Sequence, residues 1–590
     1  MLKRTHTCGE VSEELIGKEV VLNGWVDRIR DLGGIKFILI RDRYGKTQVF
    51  FDPEKNKDLY EKALNLNLEY TVSIKGTVNK RPGDAINENM KTGTVEILAT
   101  ELEILSKSEI PPIYVNREDE ISENLRLKYR FLDLRKEKMQ RNLLIRHKVI
   151  QATRNFLSNL SFLEIETPYL GKSTPEGARD FIVPSRLKKG NFYALPQSPQ
   201  IFKQLLMVSG FDRYFQFARC FRDEDFRADR QPEFTQIDLE ASFVDKEDIL
   251  IIVENMIKHI FKDVLNYEIN ESFKRYTHAE VMDKFGSDKP DTRYGMELID
   301  ITEYFKDTQA NFLKSVIDNN GVLKGFIIKN KASEYSRKKY DDLTNTAKEF
   351  GANGLIWISK NNDDVKSSIK KLAEKEINNL IKDGIIDNED VMLIIAGDKN
   401  SVNKTLGQLR TSLIRELNEK PLKEFEFLWV VDFPMFAFDE EENRIQAEHH
   451  PFTMPIIEDL KKYENEPLKI CSESYDLVIN GYEMASGSVR IHDQEIQRKV
   501  FEIIGLDVNE INDKFGFLID AFKFGPPPHA GAALGLDRLV AVMAGETSIK
   551  EVIAFPKTAT GSDLLSGAPA NVEKEQLEIL NLQNIEKRGN

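Results

Sequence analysis

Hydrophobic and polar residues alternate along five short runs near the start of the chain. These runs, each typical of a β-strand, span residues 19–30, 35–40, 47–51, 69–78 and 94–105. Gly33-Gly34 and Tyr44-Gly45 favour tight turns between the first three runs. A helix-like stretch at 55–66 separates the third run from the fourth. The pattern therefore predicts a small β domain over residues 1–106.

The order of these elements is that of an OB barrel. Such barrels bind single-stranded nucleic acid by stacking bases on exposed aromatic side chains beside a basic groove. Phe37, Arg28, Arg30 and Arg81 are candidates for that surface. A phenylalanine in a strand is more often a core residue, so its position alone favours a core role for Phe37.

A basic stretch and an amphipathic helix follow the barrel. Pro111-Pro112 predicts the end of the first domain, because paired prolines disfavour helix and sheet. Residues 126–148 contain nine Lys or Arg and two acidic residues, a pattern that favours a solvated helix face over a nucleic-acid groove. Helical spacing then links five apolar residues, namely Ile145, Val149, Ala152, Phe156 and Leu160. A strand at 163–166 stops at Pro168.

The middle of the chain differs in composition. From 288 to 423, Lys and Asn are frequent and strand-like runs at 323–329, 354–359 and 391–396 alternate with helical patterns, which predicts an inserted α+β domain. The full division is a barrel at 1–106, a hinge at 107–140, a main domain at 141–287 and 424–560 around the insertion, and an extension at 561–590. The expected fold is multidomain α+β.

Composition adds few constraints. The chain has 590 residues, 41% of them hydrophobic, and no apolar run reaches the roughly 18 residues of a membrane span. The polar start lacks a signal peptide, and three separated cysteines form no CxxC pair, so a cytoplasmic protein without zinc is expected. The net charge of −14 speaks against nucleic-acid binding, although a local basic patch suffices for it.

The segment 215–243 contains a charged loop between two alternating strands. Arg222 lies where the first strand ends. Its rigid, planar guanidinium group could bind an α-phosphate through two parallel hydrogen bonds. Phe234 lies at the other end of the loop and could stack on a base. A surface hairpin with many salt bridges would have the same composition.

The segment 524–544 is a Gly-rich strand that continues into a helix carrying Arg538. Small residues let a ligand approach the backbone closely, and an Arg at the start of a helix can reach a phosphate. Tight packing explains such glycines about as often as ligand binding does.

A third candidate segment combines the loop 172–179 with a helix that bears Lys203. The loop contains Gly, Ser, Thr and Pro, as mobile substrate lids do. Lys203 by itself is most simply an exposed helix lysine.

Candidate ligands for a cation occur near the end of the chain. Asp476 and Glu483 are hard oxygen ligands that could share a Mg²⁺ ion bridging phosphates. Arg490 is a candidate carboxylate binder. His449-His450 lacks a third ligand at a useful spacing, so a zinc site is not expected there.

Together these segments resemble the three signature motifs of class II aminoacyl-tRNA synthetases. The first motif is the helix and strand ending at Pro168, the second is FRDEDFRADRQPEFTQID, and the third is GLDR at 535–538. The phrases TPEGARDF, QSPQIFKQLLM, HHPFT, NGYE and GSVRIH narrow the resemblance to aspartyl-tRNA synthetases of the bacterial type. The resemblance covers nearly the whole chain and is weakest in the insertion.

The resemblance implies an OB anticodon-binding domain, an antiparallel-sheet catalytic domain and a homodimer with the first motif at its interface. It implies ATP as substrate and Mg²⁺ at Asp476 and Glu483. Catalysis would rest on Arg222, Glu483 and Arg538. The residues expected to contact ATP are Arg222, Asp223, Glu224, Gln231, Phe234, Glu483, Gly535, Leu536, Asp537 and Arg538.

The same resemblance implies an aspartate site. Lys203, Arg490 and His449 match positions around the side-chain carboxylate, and Arg222 reaches the α-carboxylate. Asparagine would leave Lys203 and Arg490 unpaired in a dry site, at a cost of roughly 3–5 kcal/mol. The remaining positions, around the amino group, are Glu176, Ser198, Gln200 and Asp238. One departure is Ala485-Ser486-Gly487, where the family often has three glycines.

For the tRNA, Phe37, Gln48, Arg81 and Glu96 match anticodon-reading positions, which reverses the core interpretation of Phe37. The expected partner is tRNA-Asp. In relatives that also accept tRNA-Asn, a His often follows the Asp of the first barrel turn. Leu32 follows Asp31 here, which favours strict tRNA-Asp specificity.

Three alternatives remain. A sister enzyme for asparagine or lysine shares the motifs, but Lys203 and Arg490 argue against both amino acids. A catalytically inactive nucleic-acid-binding paralogue would be expected to lose Arg222, Glu483 or Arg538, and all three are present. An amide ligase on the same catalytic core would lack the barrel.

Overall fold

The structure is a computed structural model that describes residues 2–117, 119–173, 178–224, 229–369, 373–417, 420–440 and 443–583. Its contacts divide the chain into two compact units. We name these the barrel unit (1–148, 225–232 and 544–577) and the sheet unit (149–224, 233–543 and 578–590). The helix and strand bounds follow in chain order.

The strands are β1 (Glu19–Leu32), β2 (Ile35–Asp42), β3 (Gly45–Phe51), β4 (Thr71–Lys80), β5 (Val95–Ser106), β6 (Leu163–Glu164), β7 (Ile182–Pro184), β8 (Phe192–Ala194), β9 (Arg213–Phe221), β10 (Glu233–Ser242), β11 (Lys274–Thr277), β12 (Ile299–Asp300), β13 (Val322–Ile328), β14 (Ile356–Asn361), β15 (Asp364–Ser367), β16 (Val391–Gly397), β17 (Phe427–Val431), β18 (Phe436–Asp439), β19 (Arg444–Ala447), β20 (Ser474–Ile479), β21 (Tyr482–Val489) and β22 (His529–Gly535).

The helices are α1 (Lys57–Leu64), α2 (Glu123–Lys128), α3 (Arg130–Asp133), α4 (Glu137–Asn159), α5 (Gln200–Val208), α6 (Lys246–Leu265), α7 (His278–Phe285), α8 (Asn311–Asp318), α9 (Arg337–Glu349), α10 (Glu374–Lys382), α11 (Lys399–Leu417), α12 (Ile457–Lys462), α13 (Gln494–Ile503), α14 (Val508–Phe522), α15 (Leu536–Ala544) and α16 (Lys574–Leu580).

The first five strands close into a barrel in the order β1-β2-β3-β5-β4, which confirms the predicted OB fold. Alternate residues of each strand point inward, so Ile38 and Ile40 are buried in the barrel core while Phe37 lies on the outer face. Gly33 and Gly34 both have positive φ, at 59° and 82°, and form the tight turn between β1 and β2.

Part of the basic stretch is structural, so the prediction of a solvated helix face is wrong for Arg126 and Arg130. Arg130 is 2% exposed and donates to the carbonyl oxygens of Lys550, Ile553 and Ala554 at 2.6–3.0 Å. Arg126 pairs with Asp133 at 3.0 Å and with Glu551 at 2.7 Å. These arginines hold the hinge helices against residues 550–554 within the barrel unit.

The core of the sheet unit is an eight-stranded sheet in the order β11-β17-β20-β21-β22-β10-β9-β6. Neighbouring strands are antiparallel except for the edge pairs β11–β17 and β6–β9, as expected for the predicted catalytic domain. At its centre, β10 pairs with β22 so that Asp238 lies opposite Ala533 and Gln236 opposite Gly535.

The insertion has its own five-stranded sheet in the order β12-β13-β16-β14-β15, with separate apolar cores on its two faces. The predicted strand runs at 323–329, 354–359 and 391–396 correspond to β13, β14 and β16. This confirms the α+β character of the insertion, whereas the bounds of the six predicted segments stay predictions. No helix in the described part of the chain is long and apolar enough to cross a membrane.

Candidate functional site

Two buried cations and two buried carboxylates form one cluster beneath the central strands. Lys203, on α5, is 1% exposed, and its ammonium lies 2.7 Å from Oδ1 of Asp238 and 3.2 Å from Oε2 of Glu240. Asp238 and Glu240 share a face because they are two residues apart in β10. We name Lys203, Asp238, Glu240 and Arg490 the charge cluster.

Arg490 follows β21 directly and is the second cation of the charge cluster. Its Nε donates to Glu240 Oε1 at 2.9 Å, and one terminal nitrogen lies 2.6 Å from Ser488 Oγ and 2.9 Å from His450 Nε2. The other terminal nitrogen makes longer contacts, at 3.2 Å to Glu240 and 3.5 Å to the Gly531 carbonyl. That second nitrogen therefore exchanges partners most easily.

The pKa values of the two carboxylates in the charge cluster shift in opposite directions. Burial by itself would raise the pKa of Glu240, but Arg490 and Lys203 together lower it to about 2. The pKa of Asp238 is raised, because the effect of burial exceeds that of Lys203. Asp238 Oδ2 is buried and has no hydrogen-bond partner among the described residues. That oxygen is consequently ready to accept from a substrate ammonium.

Two histidines next to the charge cluster are neutral acceptors. Burial and the charge of Arg490 hold the pKa of His450 well below its usual value, so its Nε2 accepts from Arg490. Burial also lowers the pKa of His529, whose Nε2 lies 3.1 Å from Gln204 Nε2.

The structure corrects the reasoning about asparagine. Asparagine would not leave Lys203 and Arg490 unpaired, since Asp238 and Glu240 already neutralise them. Sequence reasoning missed Glu240, His450, Gln204 and His529. The signal for Glu240 was a second acidic residue two positions after Asp238, on the same face of the same strand.

The predicted ATP residues of the second motif lie where β9 and β10 open into their loop. The Arg222 guanidinium carbon is 5.1 Å from the ring centroid of Phe234, and Arg222 Nε is buried without a hydrogen-bond partner among the described residues. Asp223 and Glu224 follow directly, and Asp223 N donates to the Arg179 carbonyl at 3.0 Å. Gln231 lies in the barrel unit, where its amide bonds to the Lys557 backbone.

The third motif runs from Gly535 at the end of β22 into α15, where Leu536 and Asp537 are buried. Asp537 accepts from the backbone N–H of Thr235 on β10 at 2.9 Å, which ties the third motif to the second. Arg538 donates to the backbone carbonyl of Glu483. The sheet unit thus places Arg538 beside the predicted metal ligands.

Asp476 and Glu483 lie on the paired strands β20 and β21. Burial, then the neighbouring Glu483 carboxylate, raises the pKa of Asp476 well above its usual value. Asp476 Oδ1 is buried, and no residue in the described part of the chain forms a hydrogen bond with it, as expected for a cation ligand. The described residues contain no group of three or more metal-ligating side chains, but Mg²⁺ commonly takes one or two carboxylates plus phosphates. The pair therefore fits Mg²⁺.

The remaining aspartate candidates are only partly described. Ser198 Oγ accepts from Gln200 N at 3.2 Å at the start of α5, and the Gln200 amide donates to Gln204 at 3.2 Å. His449 is exposed, 5.2 Å from the ring of Phe433. Glu176 lies outside the described residues. The structure therefore brings Lys203 and Asp238 into contact and links Arg490 to Lys203 through Glu240, and it leaves the role of Glu176 as a prediction.

The anticodon candidates lie on the barrel. Phe37 is half-buried on the outer face, 6.0 Å from the ring of Phe50, so the core interpretation is wrong. Gln48 donates to Glu96 at 2.7 Å. Arg81 is buried and bonds the Val95 carbonyl at 2.9 Å. Phe37, Gln48 and Glu96 thus form an accessible surface, whereas Arg81 mainly bonds to backbone.

Two family descriptions match this chain. The family of class II tRNA synthetases (D, K and N) matches residues 122–559, and the anticodon family of OB-fold nucleic acid binding domains matches residues 20–105. Together they account for both the sheet unit and the barrel.

The chain is similar to named proteins along its whole length. It is 52% identical over 581 residues to an aspartate–tRNA ligase of Thermosipho africanus, covering 98% of each chain. It is 51% identical to an aspartate–tRNA(Asp/Asn) ligase of Thermotoga neapolitana, covering 98% of this chain and 99% of that one.

Solved structures share the fold. The asparaginyl-tRNA synthetase of Pyrococcus horikoshii matches with a TM-score of 0.57 and 21% identity, over 95% of this chain and 99% of that chain. The aspartyl-tRNA synthetase of Entamoeba histolytica matches with the same TM-score and identity, over 94% of this chain and 91% of that chain.

Proposed function

The chain belongs to the class II tRNA synthetases and, within them, to the aspartate–tRNA ligases, and on this premise we propose how its residues divide the work of activating L-aspartate with ATP and transferring it to tRNA-Asp. The observation that carries the assignment of roles is the charge cluster. Lys203 and Arg490 are both buried and both contact the carboxylate of Glu240, at 3.2 Å and 2.9 Å, and this pair of cations supports a site for an acidic side chain.

Activation needs positioning and charge stabilisation rather than a general base. An aspartate α-carboxylate is ionised at pH 7, so its oxygen attacks the α-phosphorus directly while the bond to the β-phosphate oxygen breaks and pyrophosphate leaves. Arg222 binds the α-phosphate and the α-carboxylate, since its Nε is buried and has no hydrogen-bond partner in the described ranges. Phe234 presents its ring to the adenine, and Arg538 binds the terminal phosphate. Asp223, Glu224, Gln231 and residues 535–537 complete the nucleotide site.

Aspartate recognition uses exchangeable contacts in the charge cluster. Lys203 has three N–H donors; it donates to Asp238 at 2.7 Å and forms an ion pair with Glu240 at 3.2 Å. Arg490 offers its weakly bonded terminal nitrogen. Asparagine would lose charge-assisted hydrogen bonds to both cations, each contributing about 1.5–3 kcal/mol. Asp238 accepts from the amino group, near Ser198 and Gln200, and His449 and Glu176 close the site.

Mg²⁺ would be held by Asp476 and Glu483. When bound, it would neutralise phosphate charge and orient the nucleotide. Asp476 and Glu483 themselves fix the position of that charge through β20 and β21, and Arg538 is held against the same strand by its bond to the Glu483 carbonyl.

Oligomeric state and location are part of the same proposal. We expect a homodimer, supported by apolar side chains in the first motif and directly after it that stay exposed in the sheet unit: Leu163 at 51%, Tyr169 at 37% and Leu170 at 53%. Sedimentation equilibrium should give twice the chain mass of 67.9 kDa, and a monomer mass would contradict the proposal. A cytoplasmic location fits the translation role.

Transfer to tRNA tests the complete function. Purified protein with ATP, Mg²⁺ and radiolabelled aspartate is expected to charge tRNA-Asp, because the barrel and the charge cluster belong to one chain. With Leu32 after Asp31, charging of tRNA-Asn is expected to be at least about 100-fold slower, a difference of roughly 3 kcal/mol. Efficient charging of tRNA-Asn would contradict strict specificity, and failure with both tRNAs would contradict the transfer function.

The barrel surface gives a separate prediction. Phe37→Ala is expected to lower kcat/KM for tRNA-Asp by about tenfold or more, since base stacking contributes roughly 1–3 kcal/mol. ATP–pyrophosphate exchange should be unchanged, as no tRNA takes part in it. Tyr44→Ala, an exposed aromatic in the β2–β3 turn, is the matched control and should charge normally. Equal losses in both variants would contradict a stacking role for Phe37.

A further inference from the structure

The first residues of the insertion lie against the predicted metal ligands. Lys289 follows α7, and its ammonium is 3.8 Å from Oε2 of Glu483. Sequence reasoning found no catalytic residue between 288 and 423. The structure shows that the beginning of this range contacts Glu483, a residue of the proposed nucleotide site.

The segment 286–296 is fixed on two sides. Toward the insertion, Gly286 packs so closely on α11 that a Cβ atom would lie 1.9 Å from the Asn403 carbonyl oxygen. Arg410 of α11, itself 1% exposed, donates to the carbonyls of Asp291 and Gly295 at 2.6 Å each. The backbone that carries Lys289 is therefore anchored to the insertion.

Toward the catalytic sheet, the same segment packs on the turn between β20 and β21. A Cβ atom at Gly481 would lie 2.9 Å from the Asp291 Cβ atom, and Arg293 bonds the Glu424 carbonyl at 3.0 Å. Gly481 is two residues before Glu483. This packing sets the distance between Lys289 and the carboxylate pair.

The Lys289 ammonium is available to a ligand. Its side chain is 48% exposed, its contact with Glu483 is too long for a hydrogen bond, and it has no hydrogen-bond partner among the described residues. Arg538 contacts the backbone of Glu483 from α15. Two cations therefore flank Glu483, where the proposed nucleotide site holds the phosphates farthest from the sugar.

We propose that Lys289 is a catalytic residue of the activation step, binding the β- and γ-phosphates of ATP and stabilising the pyrophosphate as it leaves. When the aspartate oxygen bonds to the α-phosphorus, the α-phosphorus–oxygen bond breaks and its electron pair goes to the pyrophosphate. The ammonium of Lys289 stabilises that added charge without transferring a proton. The proposal rests on the proposed function and makes the insertion part of the active site.

Direct binding distinguishes this role from a structural one. Dissociation constants for ATP and for AMP are measured by equilibrium dialysis with Mg²⁺, because AMP lacks the phosphates that Lys289 would bind. Lys289→Ala should weaken ATP about tenfold, the effect of one charge-assisted hydrogen bond, and leave AMP unchanged. Lys289→Arg should restore most of the ATP affinity. Lys284→Ala, an exposed lysine 5.6 Å from the Tyr276 ring, is the matched control and should bind both nucleotides normally.

Exchange assays separate failure of this proposal from failure of the function. If the wild type exchanges pyrophosphate with aspartate, Lys289→Ala should raise KM for ATP about tenfold and leave KM for aspartate unchanged. If the wild type does not exchange, the proposed function fails, while the dialysis result still decides whether Lys289 binds the terminal phosphates. Unchanged ATP binding in Lys289→Ala, or equal weakening of ATP and AMP, would overturn the inference.

Discussion

Arg222→Ala is expected to lower the rate of aspartate-dependent ATP–pyrophosphate exchange by about 10²–10³-fold. Arg222 is the cation at the end of β9, stacked 5.1 Å from the Phe234 ring centroid, and its buried Nε has no hydrogen-bond partner among the described residues. In the proposed site it contacts both reacting groups, the α-phosphate and the α-carboxylate. Its loss therefore removes charge stabilisation and alignment together.

A nearby arginine provides the control for this prediction. Arg219 lies on the same strand and pairs with Glu233 at 2.7 Å, with a third of its side chain exposed. Arg219→Ala should change exchange by no more than about twofold, since exposed pairs contribute little. Near-normal exchange by Arg222→Ala, or an equal loss in both variants, would contradict the role of Arg222.

Arg490→Gln is expected to abolish measurable aspartate activation and to lower the free energy of unfolding by roughly 3 kcal/mol. The change removes a cation for the aspartate side chain and leaves Glu240, which is fully buried, with only Lys203 at 3.2 Å. Because the pKa of Glu240 is lowered to about 2 from an ordinary 4.5, the wild-type advantage is present above pH 4.5 and is lost as pH falls toward 2. Urea denaturation at several pH values measures this loss.

A double substitution separates the two roles of Arg490. Arg490→Gln combined with Glu240→Gln removes the uncompensated charge, so most of the lost stability should return. Aspartate activation should stay absent, because the cation for the substrate has not been restored. Recovery of activation together with stability would show that Arg490 acts only through folding.

The sequence predicted what local patterns determine. Alternation and paired glycines predicted the barrel strands and their order, since a two-residue period and a tight turn are local properties. The resemblance placed Lys203, Asp238 and Arg490 in one site, and the structure joins them in one cluster in which Lys203 pairs with Asp238 and Glu240 links Lys203 to Arg490. The predicted strand ends differ from the observed ones by only a few residues. For example, the first run was predicted to end at residue 30, and β1 ends at Leu32.

The features that the sequence did not predict depend on contacts between distant segments. Arg126 lies in a stretch whose composition is typical of a solvated helix face. Its partner Glu551 is 425 residues away, so the local sequence does not indicate the pairing. Glu240 neutralises Arg490 across 250 residues, and nothing near either residue indicates the pairing. Lys289 stands at a change of composition, and only the folded structure shows that its ammonium lies 3.8 Å from Glu483 of the proposed nucleotide site.

Amino-acid-dependent ATP–pyrophosphate exchange tests the central claim most directly. The purified wild-type protein is assayed with aspartate, asparagine, glutamate and lysine under identical conditions. The charge cluster predicts exchange with aspartate alone, since only its side chain places a carboxylate of the correct length between Lys203 and Arg490. Exchange with another amino acid would show that the pocket has been misinterpreted, and no exchange with any of the four would contradict the assignment as an aspartate–tRNA ligase.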